Sequence, residues 1–167
     1  CLGHAEWIAG RVGVIFGTLF VSPCRRRRGT WDHMCYRDAD EAYRMAQAQL
    51  DYYLLLEDQN SEYRIIRNRG DLDAVTDSFE ADTDSGHLIG IALMMEGADP
   101  IRTPEEVERW HERGVRLIGP AWAGTRYCGG TGDPGPLSRA GKKLLEQMTA
   151  CGIILDVSHM SERSFEQ

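Results

Sequence analysis

Apolar and polar positions alternate along this chain in blocks, and the longest apolar blocks are bounded by turn-forming residues. Val12-Gly-Val-Ile-Phe-Gly-Thr-Leu-Phe-Val21 is rich in β-branched and aromatic side chains and is closed by Ser22-Pro23. It predicts a strand buried on both faces. His87-Leu-Ile-Gly-Ile-Ala-Leu-Met-Met95 predicts another, ending in a carboxylate, Glu96, followed at once by Gly97. Ile153-Ile-Leu-Asp-Val157 predicts a third strand and ends at Ser158-His159. Shorter strands are expected at Tyr63–Arg67 and Val115–Gly119.

Between these blocks the period becomes helical. Asp38 with Glu41 forms a capping-box-like start, and Ala42, Met45, Ala46, Leu50, Tyr53 and Leu54 recur at helical spacing up to Glu57. A helical turn is expected from Asp71 to Phe79, then a polar loop rich in Asp and Ser. Thr103-Pro104-Glu105-Glu106 supplies an N-cap, a proline at the first helical position and a glutamate at the third; Val107, Trp110 and His111 form the inward stripe, and Gly114 closes the helix. A long Gly-rich loop runs from Ala121 to Pro136. Ser138 then caps a helix with Leu144, Leu145, Met148 and Cys151 on one face and Gly152 at its C′ position.

Strands alternating with helices predict right-handed βαβ units and a parallel sheet, either open and doubly wound or closed as a barrel. A dinucleotide-binding sheet calls for G-x-G-x-x-G after its first strand, and the chain has none. Glu96 and His159 both stand at the C-terminal ends of apolar strands, where a (β/α) barrel carries its chemistry. The expected fold is therefore α/β, a parallel (β/α)8 TIM-type barrel. Strand parity puts Met94, Ala92 and Gly90 on the face of Glu96, and Val157, Leu155 and Ile153 on the face of His159.

Composition narrows the picture further. With 26 acidic and 19 basic side chains the net charge is -7, which disfavours a nucleic-acid partner. The basic run Arg25-Arg26-Arg27-Arg28 is short and free of interleaved aromatic residues, so a solvated loop is expected there. Five cysteines at irregular spacing (Cys1, Cys24, Cys35, Cys128, Cys151) predict reduced thiols, and Cys24, His33 and Cys35 lack the CxxC pair of a structural zinc site. The Val12–Val21 run is far short of the ~20 residues of a transmembrane helix. With reduced thiols and no spanning segment, the expected location is the cytoplasm.

Carboxylate and neutral imidazole together suit zinc, and a carboxylate can bridge two metal ions ~3.5–4 Å apart. Spacing alone leaves open whether Glu96 and His159 are ligands, or a capping acid and a core histidine.

The segments themselves resemble the renal (membrane) dipeptidase family of binuclear zinc peptidases, amidohydrolase-like (β/α) barrels. Gly10-Arg-Val-Gly-Val-Ile-Phe-Gly-Thr-Leu-Phe-Val-Ser-Pro23 resembles the family's second-strand region, and Ile89-Gly-Ile-Ala-Leu-Met-Met-Glu-Gly97 its "L-I-G-x-E-G" strand. Gly114-Val-Arg-Leu117 is similar to "L-G-V-R-Y", and Gly152-Ile-Ile-Leu-Asp-Val-Ser-His-Met-Ser161 to "L-G-M-x-x-D-x-S-H-x-S". The resemblance implies a bridging role for Glu96, a ligand role for His159, and two Zn²⁺ per complete active site. It makes residues 1–167 an interior part of a single barrel domain, truncated at both ends. Asp156, Ser158 and Ser161 beside the ligand are expected as supporting or capping groups.

Departures from the family pattern qualify the function. The family's first-strand His-x-Asp pair has no counterpart, since His4-Ala5-Glu6 has the wrong acid and no apolar strand before it. Where the family reads "T-L-T-H", this chain reads Gly119-Pro120-Ala121-Trp122, placing Trp122, whose indole has one donor and no acceptor, at the substrate-side histidine position. The resemblance implies zinc-dependent hydrolysis of dipeptides by metal-activated water, with the chain alone inactive because two ligands cannot hold two zincs. An amide or lactone hydrolase of the same family, or a non-catalytic barrel serving as a binding or scaffold protein, are the alternatives. The expected partner is a small peptide or amide, and a homodimer is compatible with the sequence.

Overall fold

The computed structural model describes residues 3–31, 33, 35–80 and 86–167. Its elements in chain order are α1 (His4–Ala9), β1 (Val14–Phe20), β2 (Ser22–Pro23), β3 (Cys35–Tyr36), α2 (Ala39–Gln59), β4 (Tyr63–Ile65), α3 (Arg69–Glu80), β5 (Ile89–Glu96), α4 (Val107–Glu112), β6 (Val115–Gly119), α5 (Arg139–Ala150), β7 (Ile154–Leu155) and α6 (Glu162–Phe165). The Asp- and Ser-rich loop expected after α3 falls on residues 81–85, outside the described residues.

β5 organises the sheet. On one edge it pairs in parallel with β1 from Gly90 to Glu96. Its other edge takes β4 at Ile89–Ile91 and β6 at Leu93–Glu96, and β6 in turn pairs with β7. All of these pairings are parallel, as the strand–helix alternation predicts, and the five strands form a sheet that does not close into a barrel.

One face of the sheet carries the core. Ile91, Leu93 and Met95 of β5, Leu19 of β1 and Ile118 of β6 are fully buried against Ala46 and Leu50 of α2, Val107 and Trp110 of α4, and Leu144 and Met148 of α5. The local chemistry follows the expected caps. The Asp38 carboxylate accepts from Glu41 N–H at 2.8 Å, the Glu41 carboxylate accepts in return from Arg37 N–H at 2.8 Å, and Ser138 Oγ accepts from Gly141 N–H at 3.0 Å. Gly17 is fixed by close approach, because a Cβ there would stand 2.6 Å from Ile91 Cγ2 and 3.1 Å from the Tyr53 ring of α2.

The opposite face corrects the expectation that the first strand is buried on both sides. Phe16 is 62% exposed and Val14 is exposed too, and across the sheet so are Ile154, Leu155 and Val157. Phe16 is the register partner of Ala92, and Met94, Leu117 and Ile154 are register partners in turn, so an apolar face and two apolar edges stand without cover among the described residues. The apolar run made the strand legible; what lies against it is set by elements distant in sequence.

The cysteines also depart from expectation. Cys24 and Cys35 are joined in a disulfide, with Cα atoms 4.8 Å apart, rather than standing as free thiols. The bond excludes both sulfurs from a zinc site with His33, and it removes the premise on which a cytoplasmic location was expected, since disulfides persist in oxidising compartments. Cys128 and Cys151 are free, and Cys1 lies outside the described residues. Among the described residues no helix is long and apolar enough to cross a membrane.

Candidate functional site at the strand ends

Glu96 is the last residue of β5 and sits in register with Phe20 of β1 and Gly119 of β6, at the C-terminal edge of the sheet. Gly97 follows at φ +84°, a conformation that favours glycine and turns the chain away from the strand directly behind the carboxylate. Parity holds here: Gly90, Ala92 and Met94 share the face of Glu96, as expected.

His159 arrives by a different route. β7 contains only Ile154–Leu155; Ile153 belongs to the helix-side core, Ile154 pairs with Leu117 and Leu155 with Ile118. The expected parity of Ile153, Leu155, Val157 and His159 therefore does not hold, because the strand ends before it reaches the imidazole. Asp156 Oδ1 accepts from Ser158 N–H at 2.9 Å in a tight turn, and His159 takes φ +68°. That left-handed residue swings the ring back over the sheet edge, where Nε2 lies 3.1 Å from Glu96 Oε1. Both side chains are about one-third exposed, at 34% and 27%.

The Gly-rich loop holds this turn. Thr131 Oγ1 is 3.0 Å from His159 Nδ1, which leaves Nε2 directed at the carboxylate. Ser161 N–H donates to Gly129 O at 3.0 Å, and Ser161 Oγ donates to Gly135 O at 2.6 Å while accepting from Ser164 N–H, capping α6 as expected. Trp122 follows the end of β6, and its carbonyl accepts from Thr131 N–H at 3.0 Å. Its Cβ would lie 3.7 Å from a Cβ on Gly97, and its ring meets Phe20 edge-on with centroids 5.0 Å apart. The three residues singled out from sequence are thus brought to one place, while His4 is far along the chain's other end and pairs with Glu62 at 3.5 Å.

Several groups were not foreseen. Thr131 is one. Asp99, just beyond the Glu96 turn, is buried; it accepts from the Tyr36 hydroxyl and from Arg126 N–H at 3.1 Å. Burial, reinforced by the Asp99 charge, pushes the Tyr36 phenol well above its ordinary value, and burial raises the Cys128 thiol to about 11. The arginine run is not simply solvated: Arg26 and Arg25 converge on Asp133 at 2.8 and 3.3 Å, and hydrogen bonds from Arg26 and then Arg25 hold the Asp133 carboxyl below its usual range. Pairings separated by 63 and more than 100 residues leave no local pattern, so no spacing in the sequence marks them.

A carboxylate and an imidazole meeting at the carboxyl edge of a parallel α/β sheet place this chain among α/β proteins with a strand-end polar site. The match of residues 4–167 to the model for membrane dipeptidase, peptidase family M19, is more specific, and the chain belongs to that family. Among solved structures, the probable dipeptidase PvdM from Pseudomonas aeruginosa superposes with a TM-score of 0.79 at 21% identity, covering 97% of this chain and 41% of that one. An amidohydrolase from Pseudomonas aeruginosa gives 0.74 at 16% identity, covering 97% and 43%. An uncharacterized protein in the PQQ-III 3′ region of Acinetobacter calcoaceticus is 32% identical over a stretch covering 46% of this chain and 28% of its own. The chain spans under half the length of each of these relatives.

Proposed function

We propose that this chain is an interior part of a single (β/α)8 barrel domain, and that the whole protein is a zinc-dependent hydrolase of dipeptides or small amides. The observation that carries the proposal is the convergence of Glu96 Oε1 and His159 Nε2, 3.1 Å apart, at the C-terminal strand ends. Family membership and the uncovered apolar edges of β1 and β7, where further strands of a barrel would pair, support it.

The donor set fits part of a zinc site. His159 presents a ring nitrogen with its partner nitrogen engaged by Thr131, the usual arrangement for a ligating imidazole, and Glu96 has a second oxygen free to reach another metal. Among the described residues no group of three or more His, Cys, Asp or Glu gathers to hold a metal, whereas zinc needs about three protein ligands plus water. The remaining ligands are thus assigned to other parts of the protein, and residues 1–167 alone should be inactive. When bound, zinc polarises a carbonyl and acidifies water. This chain's own residues hold the ligating atoms in place: Gly97 turns the backbone behind Glu96, Thr131 fixes the imidazole, and Trp122 walls the site with an apolar surface that neither accepts nor relays a proton.

The test is zinc content with dipeptide hydrolysis, on the full-length protein and on its Glu96→Gln and His159→Ala forms. Two zincs per chain are expected, with both zinc and turnover reduced by either substitution. An intact full-length protein that binds no metal would replace the hydrolase with a non-catalytic barrel.

A further inference from the structure

The Cys24–Cys35 disulfide stands at the start of a line of contacts that ends on His159. Cys24, Arg25 and Arg26 form a single 3₁₀ turn, closed by Arg27 N–H donating to Cys24 O at 3.1 Å, so the bond that fixes Cys24 also fixes both arginines. Arg26 and Arg25 pair with Asp133 at 2.8 and 3.3 Å. They also donate to the main chain of the Gly-rich loop, Arg25 to Gly124 O and Arg26 to Thr131 O at 3.4 Å. Thr131 Oγ1 is in turn 3.0 Å from His159 Nδ1. We propose that this disulfide is a redox clasp on the strand-end site: closed, it holds the His159 imidazole in its ligating position through Arg25, Arg26, Asp133 and Thr131, and opened by a dithiol it releases the ring and weakens metal binding. The metal in that statement rests on the zinc reading above.

Asp133 is the node of the line. Its N–H donates to Gly130 O at 3.1 Å and its carbonyl accepts from Gly130 N–H at 2.9 Å, while Gly130 also bridges to Met160, the residue after His159. A displacement of Asp133 therefore reaches His159 from two sides, through Gly130 to its backbone and through Thr131 to its ring. Gly132, at φ +71°, leaves room for the guanidinium that grips this node, since a Cβ there would stand 2.9 Å from Arg26 Nη2. The arginine loop is also closed by the pairing of β2 with β3, Ser22 opposite Cys35 and Pro23 opposite Tyr36, but a ladder of two residues is too short to hold by itself.

The bond is within reach of a reductant. Cys24 and Cys35 are half-buried, and Cys35 stands in the wall of a cavity of about 340 Å³ with His33, Arg37 and Met45. A thiolate of the dithiol attacks Cys35 Sγ, the bond to Cys24 breaks, and Cys24 leaves as a thiolate that takes a proton from water. The second thiolate of the dithiol then attacks the mixed disulfide, and Cys35 leaves in the same way. Two electrons pass to the protein, the reductant ends as a disulfide, and the two protons it loses balance the two that the cysteines take up.

The test compares the full-length protein with its Cys24→Ser/Cys35→Ser form, an open state without thiols that would take zinc themselves. Chelator competition should show zinc held about tenfold less tightly in the open form, the lower end of what losing a ligand's outer support costs. Asp133→Asn in the closed protein should cost a similar factor, and combining it with the open form should cost little more, because both changes break one line of contacts. In the metal-free protein, nitrogen NMR of the histidine side chains, with His159 assigned from His159→Ala, should show one imidazole tautomer in the closed form and a mixture in the open one. Dithiothreitol should convert the first spectrum into the second.

An unchanged zinc affinity or an unchanged His159 signal overturns the clasp, and so do fully additive effects of Asp133→Asn and the open form. An open form that loses its near-ultraviolet circular dichroism also overturns it, since the bond would then support the whole fold rather than the site. The comparison of closed with open needs no Asp133 variant, so it decides the matter should Asp133→Asn fail to fold. A closed protein that binds no zinc removes the hydrolase reading and leaves the His159 signals of the metal-free protein to judge the clasp.

Discussion

Replacing Tyr36 by Phe removes one oxygen from a buried pair that links the disulfide-bearing segment to the turn after Glu96. Tyr36 and Asp99 are 7% and 8% exposed, so solvent screens their hydrogen bond little. Hydrogen bonds to charged groups contribute about 1.5–3 kcal/mol. Asp99 keeps the Arg126 N–H at 3.1 Å and the Arg126 guanidinium at 3.7 Å, so the lower end applies, about 1.5–2 kcal/mol. With an m-value of about 2 kcal/mol/M in urea, the unfolding midpoint should fall by roughly 0.75–1 M with the slope unchanged. A double-mutant cycle with Asp99→Asn should return a coupling of at least about 1 kcal/mol. A midpoint shift below about 0.2 M, or additive single effects, would refute the reasoning and make the contact a mere consequence of packing.

Thr131→Val removes the hydrogen bond at His159 Nδ1 with little change in volume, and on the zinc reading should weaken zinc binding by about 10–100-fold in a chelator competition; unchanged affinity would separate Thr131 from the metal. Burial raises the Glu57 carboxyl, but hydrogen bonds from Arg67 and Ile65 N–H outweigh it and hold the group below its ordinary value. Its stabilisation is therefore present above that ordinary value and is lost as pH falls through the lowered one, so the urea midpoints of the parent and Glu57→Gln proteins should converge below about pH 4. A gap of equal size at pH 7 and pH 3 would count against it. Replacing Cys24 and Cys35 by Ser opens a loop of sequence separation 11 and should cost about 3 kcal/mol by urea unfolding, less if strain or residual structure intervenes. Expressed as these 167 residues, the chain should self-associate through Phe16, Ile154, Leu155 and Val157, and a monodisperse monomer in light scattering would contradict that.

Legibility from sequence followed the range of the interactions. β5 and the placement of Glu96 were readable because a strand buried along its length writes its own pattern, and the caps at Asp38 and Ser138 were readable because their partners lie three residues away. β1 looked equally buried, yet Phe16 is exposed, because composition reports apolarity and not what covers it. Alternation predicts His159 at a strand end, but β7 stops at Leu155 and a left-handed turn brings the ring to Glu96. Thr131, Asp99 with Tyr36, and Asp133 with the arginines were invisible for the same reason as the disulfide: each is a meeting of loops that only the assembled sheet brings together.

β5 is the strand on which β1, β4 and β6 all converge, and that has a temporal consequence. β1 and β4 are synthesised before residue 66, but among the described residues neither has a sheet partner until residues 89–96 exist. While residues 21–88 are made the nascent chain therefore carries an apolar strand that these residues do not pair, and the slow step of folding should be the late insertion of β5 between strands that waited for it. Slowing translation between Phe20 and Ile89 would prolong that exposure, and a chaperone that shields extended apolar segments would act on this protein in that interval.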